Sequence, residues 1–289
     1  MSGISRPRFD TRRAFKQDGG KVSLLVAIIL GLVEGLTEFL PVSSTGHLVL
    51  VSHWLGSSDE GAKSFDIVIQ LGAILAVIVH YRSLFATRLR GLAAREPEAL
   101  RLFSALAVAF IPAALVGLVL GKTIKRLLFG PLPVAAALLV GGVVMIVVER
   151  RRRARQIVGD TGVEHVTWQR ALWIGIGQCF SLWPGMSRSM STIVAGQLTG
   201  LSTPTAAEFS FLLSVPTLGA ATVYEGFKAR HALMQGVGGL ELAVGLLVSF
   251  VVAWVVIAAF IRYLGKRGLA PFGWYRIALA ALVFVLARG

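Results

Sequence analysis

Cysteine is all but missing. Cys179 is the single one in 289 residues, which excludes an intrachain disulfide and a cysteine-based metal cluster. Charge is scarce too, at 15% of residues against 55% hydrophobic, and that argues against a soluble domain with an ordinary solvated surface. Acidic side chains are the scarcer sign, 15 against 29 basic. A net charge of +14 would suit a nucleic-acid binder, but the basic residues cluster in the first 21 positions and between apolar runs. Examples are Arg150-Arg151-Arg152-Arg153, and Arg262 with Lys266 and Arg267. That is the loop bias of a membrane protein beside anionic headgroups, so the expected surroundings are a membrane and not nucleic acid. Residues 1–21 are polar and basic and lack the pattern of a cleavable signal. They read as a disordered tail before a single membrane domain over 22–289.

What is present is a series of apolar runs. Six are long enough, or nearly so, to cross a hydrocarbon core of about 30 Å: residues 65–81, 101–120, 131–148, 204–224, 238–261 and 271–287. Two more regions behave differently. Residues 22–40 are followed by Pro41 and a short stretch over 43–55; residues 168–183 are followed by Pro184 and a short stretch over 187–198. A second arm of this kind rises only about 20 Å as a helix, too little to cross, and proline breaks the helix at each junction. Each region therefore reads as a re-entrant hairpin, a form tolerated at membrane depth only against protein or a wet cavity.

The halves are alike. A shift of 143 positions lays Pro41 on Pro184, Ser44 on Ser187, Leu55 on Leu198 and Tyr81 on Tyr224. The first three spans separate the copies, and an odd number of crossings inverts the second. The expected fold is thus an all-α polytopic membrane protein, six transmembrane helices plus two re-entrant helical hairpins in an inverted repeat, about 22–148 and 168–287. The loops after Tyr81, Val148 and Ile261 then share one side. They carry Arg82, Arg88, Arg90, Arg95, Arg150 to Arg153, Arg155, Arg262, Lys266 and Arg267, which makes that side cytoplasmic. The basic residues of the tail argue the other way.

Ionisable groups at membrane depth are costly and point to a site. Residues 34–47 read E-G-L-T-E-F-L-P-V-S-S-T-G-H, and residues 184–192 read P-G-M-S-R-S-M-S-T. Glu34 and Glu38 project from one helix face a turn apart. Their repulsion is relieved by a shared proton or by a divalent cation, Mg²⁺ or Ca²⁺, bound together with phosphate oxygens. The plainer alternative is a pair of solvated glutamates at headgroup level. Ser43, Ser44, Thr45 and Gly46 open the next helix, where amides and hydroxyls can cradle a phosphate. A simple N-cap accounts for one of those hydroxyls but not for the run. His47 follows within reach as a proton carrier. Ser187 and Arg188 hold the matching place in the second hairpin, and a guanidinium fork suits phosphate. The competing reading pairs Arg188 with Glu208 or with a glutamate of the first hairpin. Asp66 reads as a residue near a span end, and Gln70 and Gln178 as possible cavity lining.

These two stretches, with G-I-G-Q-C-F-S-L-W-P-G-M-S-R-S over 175–189, resemble the two signatures of the undecaprenyl-diphosphate phosphatases, also called bacitracin-resistance proteins. The resemblance covers residues 22–287. It implies a bacterial inner-membrane enzyme that hydrolyses the C55 isoprenyl diphosphate carrier to its monophosphate, recycling it for peptidoglycan synthesis. It also implies a divalent cation and resistance to bacitracin. The family's functional positions fall on Glu34, Glu38, Ser43, Ser44, Thr45, His47, Ser187 and Arg188. Met190 departs from the glycine usual there. The site is expected to open to the periplasmic face. The nucleophile (Ser44, His47 or water) and the oligomeric state stay open, a homodimer being one reading. Two rivals remain: a transporter or flippase of the phosphorylated lipid, since inverted repeats also build transporters, and a histidine-nucleophile phosphatase. The second is weak, because His231 is the only histidine after Arg188.

Overall fold

The computed structural model describes residues 22–55 and 60–287; the tail over 1–21 lies outside them. Among the described residues every element is helical, with one isolated bridge between Asp160 and Leu201. The chain runs α1 (Leu24–Thr37), α2 (Ser44–Trp54), α3 (Glu60–Val68), α4 (Gln70–His80), α5 (Arg82–Ala93), α6 (Pro97–Leu128) and α7 (Pro131–Ala154). It continues through α8 (Trp168–Cys179), α9 (Arg188–Leu198), α10 (Thr203–Lys228), α11 (Arg230–Gly236), α12 (Gly239–Leu264) and α13 (Ala270–Leu286). Starts follow local chemistry. The hydroxyls of Ser23, Thr167 and Ser202 accept from the backbone N–H three residues on, capping α1, α8 and α10. Prolines open α6, α7 and α10, where no helix N–H is lost.

Among the described residues five segments are long and apolar enough to cross a membrane: Gly61–His80, Pro97–Ile124, Pro131–Ala154, Thr203–Lys228 and Gly239–Leu264. The first is α3 and α4 in succession, joined at Ile69, whose backbone stays helical. The expected sixth span, α13, has 17 residues and is shorter than these. The run over 131–148 also continues, as α7, through the four arginines to Ala154. Arg152 is therefore no loop residue: it is buried and donates to the carbonyls of Gln197 at 2.6 Å and Leu201 at 3.0 Å. It caps the free carbonyl end of α9 with positive charge.

The packing has an exchanged pattern. α1 lies along α12 and α8 along α6; α4 lies along α12 and α10 along α6; α7 meets α13, and α4 meets α10. Small residues allow the close crossings. A Cβ on Gly31, Gly35 or Gly72 would strike α12 backbone at 2.7, 2.7 and 2.3 Å. The arginine-rich segments gather at one end. Arg153 donates to the Arg267 carbonyl, Glu149 accepts from the Leu269 N–H, and Arg101 reaches the Glu164 carbonyl. At the other end Val22 N–H bonds the Gly236 carbonyl and α3 packs on α11.

Candidate active site

Both short second arms begin the same way. Ser43 and Ser187 have φ of 75° and 72°, a left-handed conformation rare for residues with a Cβ. Each hydroxyl accepts from an amide three residues on, Gly46 N–H and Met190 N–H, both at 3.3 Å. By conformation Ser43 is thus the counterpart of Ser187, which corrects the match of Ser44 to Ser187. The turn after Pro184 holds one residue more than the turn after Pro41, so the offset grows there to 144 and Ser44 faces Arg188 in the comparison.

The two turns meet at Glu38. Its Oε2 accepts from Ser44 Oγ at 2.6 Å and its Oε1 from Arg188 Nη2 at 2.9 Å, across 150 positions. All three side chains are buried. Of the two pairings weighed for Arg188, the structure selects the first hairpin's glutamate and not Glu208. The guanidinium is held on its other side by Ser210, whose carbonyl and hydroxyl accept from Nη1 at 3.0 and 3.1 Å, and it lies over the Phe39 ring. Its Nε is buried without a partner. Ser189 closes the crossover by donating to the Leu40 carbonyl at 2.9 Å.

Glu34, one turn before Glu38, is fully buried, and neither of its carboxylate oxygens has a hydrogen-bond partner. A buried carboxylate without partners is strongly unfavourable unless a proton or cation joins it. These are donors that fit a divalent cation. Glu38 is less free, because a cation would have to share oxygens already held by Ser44 and Arg188.

His47 lies beside the cluster and outside its hydrogen bonds. Nδ1 contacts the Ser43 carbonyl at 2.8 Å and can only donate to it, so in the neutral ring Nε2 accepts from Tyr275 Oη at 2.6 Å. Thr45 is exposed. Ser187 serves as the cap described and also contacts Ser189 Oγ. Met190 is buried, with its amide on that cap. Gln70 and Gln178 tie spans together through Thr222, Thr217 and the Ala109 carbonyl.

Several contributors escaped the sequence reading. Arg276 is completely buried and donates to the carbonyls of Pro41 at 3.3 Å, Ala137 at 3.1 Å and Gly185 at 2.9 Å, pinning both turns to α7. Its charge inside the otherwise apolar residues 271–287 was the available signal. Ser210 and Tyr275 carried none, and Asp66, read as a span-end residue, turns inward to Ser52.

Residues 27–282 match the family described as bacitracin resistance protein BacA. The chain belongs to this family. Among its relatives is the undecaprenyl-diphosphatase of Sorangium cellulosum, 64% identical over 90% of this chain and 85% of that protein. The undecaprenyl-diphosphatase 2 of Rhodospirillum rubrum is 47% identical over 92% and 96%. The undecaprenyl-diphosphatase of Nitrosomonas europaea is 46% identical over 91% and 94%. Membership in the family thus spans both turns and every residue that meets at Glu38.

Proposed function

We propose that this protein is an integral membrane phosphatase that hydrolyses undecaprenyl diphosphate to undecaprenyl phosphate and inorganic phosphate. The reaction returns the lipid carrier to cell-wall synthesis, and by removing the diphosphate it confers bacitracin resistance. Its relatives bear the name of that activity. The observation that carries the chemistry is a hydroxyl 2.6 Å from a buried carboxylate whose other oxygen is fixed by an arginine.

That arrangement is a nucleophile beside its base. Ser44 Oγ attacks the terminal phosphorus, its proton passes to Glu38 Oε2, and the P–O bond to the lipid monophosphate breaks. Water then releases phosphate from Ser44 by the reverse proton path. Arg188 offers its unpartnered Nε–H, together with Nη2, to phosphate oxygens, and preset donors of this kind stabilise the charge that develops in transfer. Ser43 and Ser187 hold the left-handed turns that open α2 and α9, and helix N-termini of this kind suit a phosphate. A divalent cation, Mg²⁺ or Ca²⁺, held foremost by Glu34, would supply charge neutralisation on the diphosphate.

In the bilayer we read α13 as a sixth, short span and the α1–α2 and α8–α9 pairs as re-entrant hairpins inserted from opposite faces. The exchanged helix packing supports this layout, as do arms of 14, 11, 12 and 11 residues, each too short to cross. The arginine-rich end is cytoplasmic in an inner membrane, so the first hairpin enters from the periplasmic side. Purified protein in detergent micelles, where no passage across a membrane exists, should release phosphate from undecaprenyl diphosphate and stop when a chelator is added. Absence of phosphate release under any divalent cation would refute the reading.

A further inference from the structure

The mechanism uses Glu38 as a proton acceptor and leaves Glu34 with two unsatisfied oxygens. Two more unsatisfied buried oxygens lie in its neighbourhood. Asp66 Oδ1 on α3 has no partner, while its Oδ2 is held by Ser52 of α2 at 3.2 Å. Ser249 Oγ on α12 is fully buried and also has no partner. The helix crossings place these groups around one spot. Gly35, the residue after Glu34, abuts the Ser249 carbonyl; Gly72 of α4 abuts the Ser249 side chain; and Phe65, beside Asp66, packs on Gly245, one turn before Ser249. The charged groups close enough to act on Glu34 are Glu38, Asp66 and Arg188.

We propose that Asp66 is the second carboxylate of the cation site, so that Glu34 and Asp66, with the Ser249 hydroxyl, hold a divalent cation while Glu38 does not. Two carboxylates are like charges in a low-dielectric interior, and their unsatisfied oxygens call for a positive partner. Among the described residues no three His, Cys, Asp or Glu side chains converge into a closed cage. A cation held by these two carboxylates would therefore complete its shell with water and phosphate oxygens. Glu38 is the poorer ligand, because each of its oxygens already accepts a hydrogen bond that a cation would have to share.

The inference rests on a cation serving the proposed reaction, but its test needs no turnover. Metal-free protein in detergent is titrated with Mn²⁺ and followed by electron paramagnetic resonance, with and without methylene diphosphonate. Asp66→Asn should weaken Mn²⁺ binding at least about tenfold, and Glu38→Gln should change it by less than about threefold although it slows phosphate release at least about 100-fold. Melting curves in chelator check that each variant is folded. Ser52→Ala, which frees Asp66 without removing it, should weaken binding only slightly. Equal binding by Asp66→Asn and the parent, or loss of binding in Glu38→Gln alone, overturns the assignment. So does absence of Mn²⁺ binding by the parent under both conditions, which would mean that the carboxylates share a proton. Phosphate release that persists while the assignment fails separates the two claims.

Discussion

Glu34 and Glu38 stand one helical turn apart, and their surroundings divide the labour between them. Glu38 is hydrogen-bonded on both oxygens, and Glu34 on neither. Glu34→Gln keeps the shape and removes the charge, so turnover should fall at least about 100-fold with the protein still folded, as when a metal ligand is lost. Near-parental phosphate release would remove Glu34 from the chemistry. Arg188 uses two nitrogens on protein and has a third donor to spare. Lysine keeps the charge without the planar fork, so Arg188→Lys should stay impaired by about 100-fold; full activity would reduce the arginine to a long-range charge. Most of these residues were legible in the sequence, because a charge or a run of hydroxyls inside an apolar stretch has few structural explanations. Asp66 and Tyr275 were not, since their importance depends on which helix packs against them.

At the scale of elements, proline and chain length marked the two breaks, but not the details of the turns. Ser44 was matched to Ser187 by counting, whereas backbone conformation matches Ser43, because one added residue follows Pro184. Likewise the arginine run after Val148 looked like a loop, although helix α7 continues through it and Arg152 caps α9. A helix boundary set by tertiary hydrogen bonds cannot be read from composition. Arg276 has the same character: it fastens both turns to α7 through three carbonyls. Arg276→Met preserves bulk and strands the Pro41 and Gly185 carbonyls of the two turns, each worth about 1–3 kcal/mol when left buried without a donor. The melting temperature in detergent should drop clearly and activity should fall with it. An unchanged melting temperature would mean that the turns hold themselves.

Taken whole, the molecule sorts its charge by end. The segment after α4 and the ends of α7 and α12, with Arg82, Arg88, Arg90, Arg95, Arg150 to Arg153, Arg155, Arg262 and Arg267, lie together, and residues 22 and 236 meet at the opposite end. Single cysteines replacing the exposed Arg151 and Lys228, in a background lacking Cys179, should react with an impermeant reagent from opposite faces of the membrane. Reaction from one face would refute the layout. The central claim is that two hairpins distant in sequence form one catalytic unit at the Glu38–Arg188 contact. The most direct measurement is phosphate release by Glu38→Gln, Arg188→Gln and the double variant. Residues that act as one unit are strongly non-additive, so the double variant should be slower than the worse single one by no more than about threefold. Losses that multiply would show that the two side chains act independently, and would contradict a shared site.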